Sequence, residues 1–140
     1  MSIQNLSTEF DVIVVGGSYA GLSAATQLAR ARRRVLVIDA GQRRNRYAQH
    51  SHGVLGQDGR EAAAIAAEGK QQLMKYPTVQ WLAGAAAQAT RLDQGFRVTL
   101  SEGRGVDAQA LVLATGVVDE LPSLPGLAER WGTSVFHCPY

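Results

Sequence analysis

Apolar residues near the start of the chain form two short, nearly continuous runs. Residues 10–15 and 35–38 are rich in Val and Ile, which is typical of strands buried on both faces of a parallel sheet. Between them the spacing is helical over 19 to about 33, and small or apolar residues share one face: Gly21, Ala24, Ala25 and Leu28. The pattern predicts a strand–helix–strand unit.

The segment that follows changes pattern twice. Residues 40–57 show no periodicity and predict a long ordered loop. Asp58, with Glu61 three residues later, predicts the start of a second helix. Its apolar face continues to Leu73, and Pro77 ends it.

The last part of the chain mixes two kinds of strand. Residues 79–82 predict another parallel strand, whereas 84–109 alternate with period two and predict an antiparallel excursion of two or three strands. Residues 111–113 return to an apolar strand, and 117–126, with two prolines, predict a linker. The fold class is therefore α/β, a parallel sheet with helices and an antiparallel β excursion.

Composition and charge narrow the class of protein. A length of 140 residues allows one domain, and 46% hydrophobic residues can build its core. Six of the fourteen basic residues are arginines in 32–34 and 43–46, but only Tyr47 among nine aromatic residues lies beside them, too little for a base-stacking surface. No apolar run reaches the roughly 18 residues of a membrane span. We expect a cytoplasmic protein that binds neither nucleic acid nor membrane.

Cysteine and histidine usage argues against a metal site. Cys138 is the only cysteine, and His50 and His52 are two residues apart rather than the four that place two ligands on one helix face. We expect no metal.

The strongest motif is a glycine turn between the first predicted strand and helix, Gly16-Gly17-Ser18-Tyr19-Ala20-Gly21. In a dinucleotide site such glycines allow a tight turn, close approach of the pyrophosphate, and close helix–strand packing. Asp39 lies 23 residues beyond Gly16, near the roughly 20 expected for a carboxylate that binds ribose hydroxyls. Dinucleotide binding is therefore predicted.

Ser18 occupies the position of the second glycine in the Gly-x-Gly-x-x-Gly motif, where glycine is usual. Its side chain would either crowd the pyrophosphate or donate a hydrogen bond to it. A Walker phosphate loop is excluded, because Leu22-Ser23 follows Gly21 where that motif needs Lys and then Ser or Thr.

Two segments make the chain similar to a known family. The stretch from Asp11 through the glycine turn to Ala25, with the strand ending at Asp39, resembles the amino-terminal FAD-binding segment of the thioredoxin reductase-like flavoprotein oxidoreductases. Leu111-Val-Leu-Ala-Thr-Gly116 resembles the second FAD contact motif of that superfamily. The resemblance implies a Rossmann-like FAD-binding domain, incomplete in these residues, which also contains the antiparallel excursion.

Site residues follow from the resemblance by position. It implies FAD contacts at the glycine turn, at the end of the second strand, in the long loop and after the last strand: Gly16, Gly17, Ser18, Ala20, Gly21, Asp39, Ala40, Arg46, His52, Gly56, Ala114, Thr115 and Gly116. The loop residues would approach the isoalloxazine, although a solvated loop tip is the alternative interpretation. Ala86 and Ala87 would contact adenine through their backbone.

His137-Cys138-Pro139-Tyr140 resembles the beginning of a Cys-Pro-Tyr-Cys redox motif. The resemblance implies that Cys138 is a catalytic thiol, that NADPH is the co-substrate, and that the substrate is a small-molecule or protein disulfide. It further implies a homodimer. We expect 1–116 to be the first part of the FAD-binding domain and 117–140 to be a linker and the start of an NAD(P)-binding domain. We also expect residues 1–140 alone to be inactive.

Two other hypotheses remain open. A nicotinamide-binding Rossmann module would use the same turn, with Arg43 or Arg44 reaching a 2′-phosphate, although Asp39 would repel that group. A truncated, non-catalytic dinucleotide-binding fragment is the second alternative.

Overall fold

The computed structural model describes residues 10–137, and its centre is a six-stranded sheet in the order β3-β2-β1-β6-β5-β4. The strands are β1 Phe10–Val15, β2 Val35–Asp39, β3 Val79–Ala83, β4 Ala86–Arg91, β5 Phe96–Leu100 and β6 Gly105–Leu113. Strands β3, β2, β1 and the second half of β6 run parallel, while β4, β5 and the first half of β6 are antiparallel. The predicted parallel sheet with an antiparallel excursion is confirmed.

Strand β6 joins the two kinds of pairing. Val106 and Ala108 face β5 in antiparallel register, whereas Leu111 to Leu113 pair with β1 in parallel register. The predicted separate strand at 111–113 is therefore the second half of β6. No glycine, proline or turn sequence interrupts the chain between Val106 and Leu113, so the strand is continuous.

Both faces of the parallel strands are covered, which explains their continuous apolar runs. On one face the side chains of β1 and β2 pack against two helices, α1 (Tyr19–Arg30) and α2 (Ala62–Leu73). This cluster includes Val12, Val14, Val35, Val37, Leu22, Ala25, Ala66 and Leu73. On the other face they pack against residues of the antiparallel excursion; this cluster includes Ile13, Leu36, Ile38, Val98, Leu100 and Val106. Because neither face of β1 and β2 is open, their polar residues, Asp11 and Asp39, lie at or next to the strand ends.

Helix α1 spans Tyr19–Arg30, three residues shorter than the sequence pattern predicts. The chain leaves the helix at Arg32, whose φ of 58° is in the left-handed region. The amides of Arg32 and Arg33 donate to the carbonyls of Ala29 and Leu28, at 2.9 and 3.1 Å. This pair of bonds is a Schellman motif, which satisfies carbonyls that the helix leaves free.

Helix α2 spans Ala62–Leu73, so the predicted start at Asp58 is wrong. The Asp58 carboxylate instead accepts a hydrogen bond from the Gly53 amide at 2.8 Å and closes the preceding loop. Glu61 is the residue before the helix, and its side chain makes no capping hydrogen bond with the residues that the structure describes. A short helix α3 follows at Leu127–Arg130.

The long loop is ordered, as predicted. It contains a 3-10 helix at Arg44–Tyr47 and an isolated bridge between Ser51 and Arg60. The linker residues 117–126 form no regular element. Within residues 10–137 there is no helix long and apolar enough to cross a membrane and no group of side chains arranged to hold a metal.

The end of α1 gives a test of the fold. Arg32→Gly should raise the free energy of unfolding by about 1 kcal/mol, because glycine adopts the left-handed conformation without the steric cost of a Cβ. Chemical denaturation measures this difference. Arg32→Ala is the control, since it removes the same charge and keeps the Cβ. Equal stability of the Gly and Ala variants would contradict the assignment of this helix end.

Candidate functional site

The carboxyl ends of β1, β2 and β6 meet at one edge of the sheet. The chain leaves β1 toward β2 on one side, while β6 lies on the other side of β1. This reversal of strand order is a topological switch point, and open α/β sheets bind their ligands in the crevice formed there. The structure therefore puts the glycine turn, Asp39 and the residues after Leu113 around one crevice.

The glycine turn is held against the end of β6. Gly16 has a φ of +104°, and its amide donates to the Ile38 carbonyl at 2.8 Å. A Cβ at Gly16 would collide with the backbone carbonyl of Ala114, and a Cβ at Gly21 would collide with the carbonyl of Gly16. The first and third glycines of the motif are thus required by close backbone approach, as the motif predicts.

Asp39 is fixed to Gly17, the residue after the first glycine of the motif. The Gly17 amide donates to the Asp39 carboxylate at 3.0 Å, and the amide of Gly84 donates to the Asp39 backbone carbonyl at 2.9 Å. A Cβ at Gly17 would collide with the ring of Trp81 and lie 2.7 Å from the Asp39 Cγ. The carboxylate therefore stands at the crevice beside the turn, in a fixed orientation.

Ser18 is the residue immediately before α1. Its backbone carbonyl accepts the first helical hydrogen bond, from the Leu22 amide at 2.8 Å. Its side chain makes no capping hydrogen bond with any residue that the structure describes, although serine is a favoured cap at this position. Because Ser18 also lines the crevice, its hydroxyl is available to a bound group.

The chain after β6 forms the opposite wall. The Ala114 amide donates to the Val15 carbonyl at 2.8 Å, which extends the parallel pairing by one residue. Gly116 then turns with a φ of +65°. These two features bring the Ala114-Thr115-Gly116 backbone alongside the glycine turn.

The crevice between these walls has a volume of about 910 Å³, within the range of small-molecule and cofactor sites. Predicted cofactor-binding residues that line it are Gly16, Gly17, Ser18, Ala20, Asp39, Ala40, Ala114, Thr115 and Gly116. Gly21 lies below the turn, within α1. Further lining residues are Gln42, Arg43, Arg44, Asn45, Ala85, Ala86, Val117, Val118 and His137. The structure therefore brings most of the predicted site residues to one groove.

Arg44 and Asp119 tie two segments at the rim of this groove. The guanidinium donates to both carboxylate oxygens, with distances of 2.6 to 3.1 Å. These hydrogen bonds from Arg44 hold the pKa of the Asp119 carboxyl below its usual range. The pair fixes the path of residues 117–119 relative to the loop after β2.

Three predicted residues of the long loop do not line the groove. Arg46 lies over the Tyr47 ring, 4.5 Å from its centroid, and borders a smaller cavity of about 290 Å³. His52 lies with its Nδ1 3.6 Å from the Asp58 carboxylate, and Gly56 occupies a turn in the same loop. A flavin contact for these residues stays a prediction.

Cys138, the predicted catalytic thiol, lies outside the described residues. Of the two predicted adenine contacts, Ala86 lines the groove and Ala87 does not.

Two sets of contacts at the site are not indicated by the sequence pattern. Trp81 of β3 lies against Gly17 and Asp39, and the Lys70 ammonium lies 3.9 Å from the centroid of its ring. The Tyr19 hydroxyl donates to the Ala62 carbonyl at 2.9 Å and so ties the start of α1 to the start of α2. Both sets join residues far apart in the chain, and no local signal identifies such pairs.

Comparison with known proteins agrees with this geometry. Residues 10–139 match the family described as pyridine nucleotide-disulphide oxidoreductase. The chain is 35% identical to thioredoxin reductase tcpT of Claviceps purpurea, over all of this chain and 44% of that protein. It is 38% identical to thioredoxin reductase aclD of Aspergillus oryzae, over 92% of this chain and 42% of that protein.

A solved structure of an oxidoreductase from Agrobacterium tumefaciens superposes with a TM-score of 0.87 at 55% identity, covering 94% of this chain and 45% of that one. The chain spans less than half the length of each of these relatives. The family match extends over all the described residues, from β1 through the glycine turn to the segment after β6. This chain belongs to the pyridine nucleotide-disulphide oxidoreductase family.

Proposed function

We propose that this chain is the FAD-binding part of a thioredoxin reductase-like enzyme, which transfers electrons between NAD(P)H, FAD and a dithiol/disulfide pair. The observation that carries the proposal is the single groove at the switch point, which combines the glycine turn, Asp39 and the backbone of residues 114–116. Its relatives among the thioredoxin reductases give the reaction class.

The groove fits an adenine dinucleotide. The backbone of Gly16 and Gly17 lines the groove, and the positive end of α1 favours an anion there. The Ser18 hydroxyl would donate to the same phosphates. Asp39, held by the Gly17 amide, would accept hydrogen bonds from the adenosine ribose, with Ala20 and Ala40 as backbone neighbours.

The electrostatics favour FAD over NADP in this groove. A 2′-phosphate on the adenosine ribose would stand beside the Asp39 carboxylate and be repelled. Arg44, which could neutralise such a phosphate, is engaged with both oxygens of Asp119. Arg43 also lines the groove, so the preference for FAD over NADP rests on the Asp39 carboxylate rather than on the lack of a cation.

FAD, when bound, would accept a hydride from the nicotinamide and supply electrons to a disulfide. The protein's part is to hold the dinucleotide at the turn and to present the Cys138 thiol. As a thiolate, Cys138 would attack or leave a disulfide sulfur, so that NAD(P)H, a proton and a disulfide give NAD(P)⁺ and two thiols. Arg46, His52 and Gly56 would approach the isoalloxazine from the long loop.

The domain boundaries, the substrate, the oligomeric state and the location of the enzyme form part of the same proposal. We propose residues 1–116 as the first part of the FAD-binding domain and 117–140 as a linker to an NAD(P)-binding domain. The substrate would be a small-molecule or protein disulfide, the enzyme a homodimer, and its location the cytoplasm, where thiols are kept reduced.

The reaction is tested at Cys138. In a protein that joins this chain to an NAD(P)-binding domain and the rest of the FAD-binding domain, Cys138→Ser should abolish NAD(P)H-dependent reduction of a disulfide and leave the affinity for FAD unchanged, since a hydroxyl does not exchange with disulfides. Absorbance of NAD(P)H follows turnover, and the flavin spectrum reports bound FAD. A Cys138→Ser protein that reduces disulfides at the wild-type rate would show that another group carries the reaction.

The choice of cofactor is tested at Asp39. Asp39→Ala should weaken FAD binding by about 2 kcal/mol, or about thirtyfold in Kd, because hydrogen bonds between ribose hydroxyls and a charged group are lost. Isothermal titration calorimetry measures the change. Asp93→Ala is the matched control, since it removes the same charge from the exposed β4–β5 turn. Tighter binding of NADP than of FAD to the wild-type protein would contradict the proposal.

A further inference from the structure

Trp81 occupies a position behind the groove that none of the roles described so far explains. It lies on β3 opposite Val37 of β2, and its ring packs against the core cluster under α2. Two carbons of the six-membered ring of the indole occupy the space that a Cβ on Gly17 would need, and the Asp39 carboxyl carbon borders the same space. The ring therefore borders the carboxylate that faces the groove without itself lining the groove.

Two opposite charges lie close to this ring. The Lys70 ammonium from α2 lies over the ring face, 3.9 Å from the centroid. The faces of an aromatic ring are negative, so the ammonium is on the side that attracts it. The Asp39 carboxyl carbon lies 2.7 Å from the position that a Cβ on Gly17 would take, and the nearest indole carbon lies closer still, so the carboxylate is a close neighbour of the same ring.

The neighbours of Asp39 act on it in the same direction. The Gly17 amide holds the carboxylate from the turn, and the indole ring limits its movement toward β3. The positive charge of Lys70 over the same ring attracts the carboxylate and holds the ring in place by a cation–π contact. The carboxylate is thereby kept oriented at the groove rather than turned toward solvent.

We propose that Lys70 and Trp81 are positioning residues that hold Asp39 for an adenosine ribose with free hydroxyls. The inference deepens the proposed function and rests on it for the choice of FAD as ligand. It assigns a specificity role to a cation–π pair that lies outside the groove. It also explains why position 17 has no side chain, since the ring that orients Asp39 fills that space.

Lys70 provides the cleaner test, because Trp81 also packs against the core and its removal would destabilise the fold. Lys70→Met keeps a long apolar side chain over the ring and removes the charge. It should raise the Kd for FAD about threefold, the effect of losing a partly exposed cation–π interaction. Lys70→Arg should retain the wild-type affinity, because a guanidinium also stacks on indole.

The decisive measurement repeats Lys70→Met in an Asp39→Asn background. If Lys70 acts through the Asp39 carboxylate, the threefold loss should fall below about 1.5-fold when the carboxylate is already neutral. Lys75→Met is the matched control for net charge, since Lys75 is exposed just after α2, and it should leave the Kd unchanged in both backgrounds. Calorimetry with FAD and with ADP gives the affinities, and thermal unfolding is measured for every variant.

The outcomes separate this inference from the proposed function. An equal loss in both backgrounds, or no loss in the wild-type background, would overturn the role of Lys70 and Trp81 while FAD binding stands. Binding of ADP without FAD would overturn the choice of cofactor, and the same cycle measured with ADP would then decide the positioning role. A wild-type protein that binds neither ligand would overturn both.

Discussion

The site depends on the close approach of two backbone segments that leave no room for side chains. The Gly16 backbone passes so near the Ala114 carbonyl that any Cβ at position 16 would overlap it. The amide of Ala114 donates in turn to the Val15 carbonyl, so a hydrogen bond also joins the end of β1 to the end of β6. Because of this contact, the groove has one wall from the start of the chain and one from a segment about one hundred residues later.

The double pairing of β6 makes that approach possible. Its first half belongs to the antiparallel excursion, whose side chains cover the second face of β1 and β2. Its second half is parallel to β1 and ends level with the glycine turn. The excursion therefore completes the core, and it is followed by the half of β6 that places Ala114 at the switch point.

Sequence pattern predicts the local elements well and the long-range contacts poorly. The runs at β1 and β2 and the glycine turn are recognisable because each depends on neighbours in the chain. The end of α1 is missed, since Arg32 adopts a positive φ without being glycine. Asp58 resembles a helix cap but closes a loop with Gly53 instead.

Within the site too, the sequence pattern identifies residues but not their long-range contacts. Asp39 is found from its spacing to the turn, but its hydrogen bond to Gly17 and the indole beside it are known only from the fold. Lys70 and Trp81 meet because α2 and β3 pack into the same core cluster, and Arg44 meets Asp119 across 75 residues. No periodicity connects such pairs, so their roles emerge only from the structure.

The central claim is that the groove at the switch point holds the adenosine diphosphate half of FAD. Competition calorimetry with FAD, ADP and FMN tests it most directly. The account predicts that ADP displaces FAD, because both present the same ribose and diphosphate to Asp39 and the glycine turn. It also predicts that FMN, which lacks the adenosine, does not. Displacement of FAD by FMN but not by ADP would contradict the account.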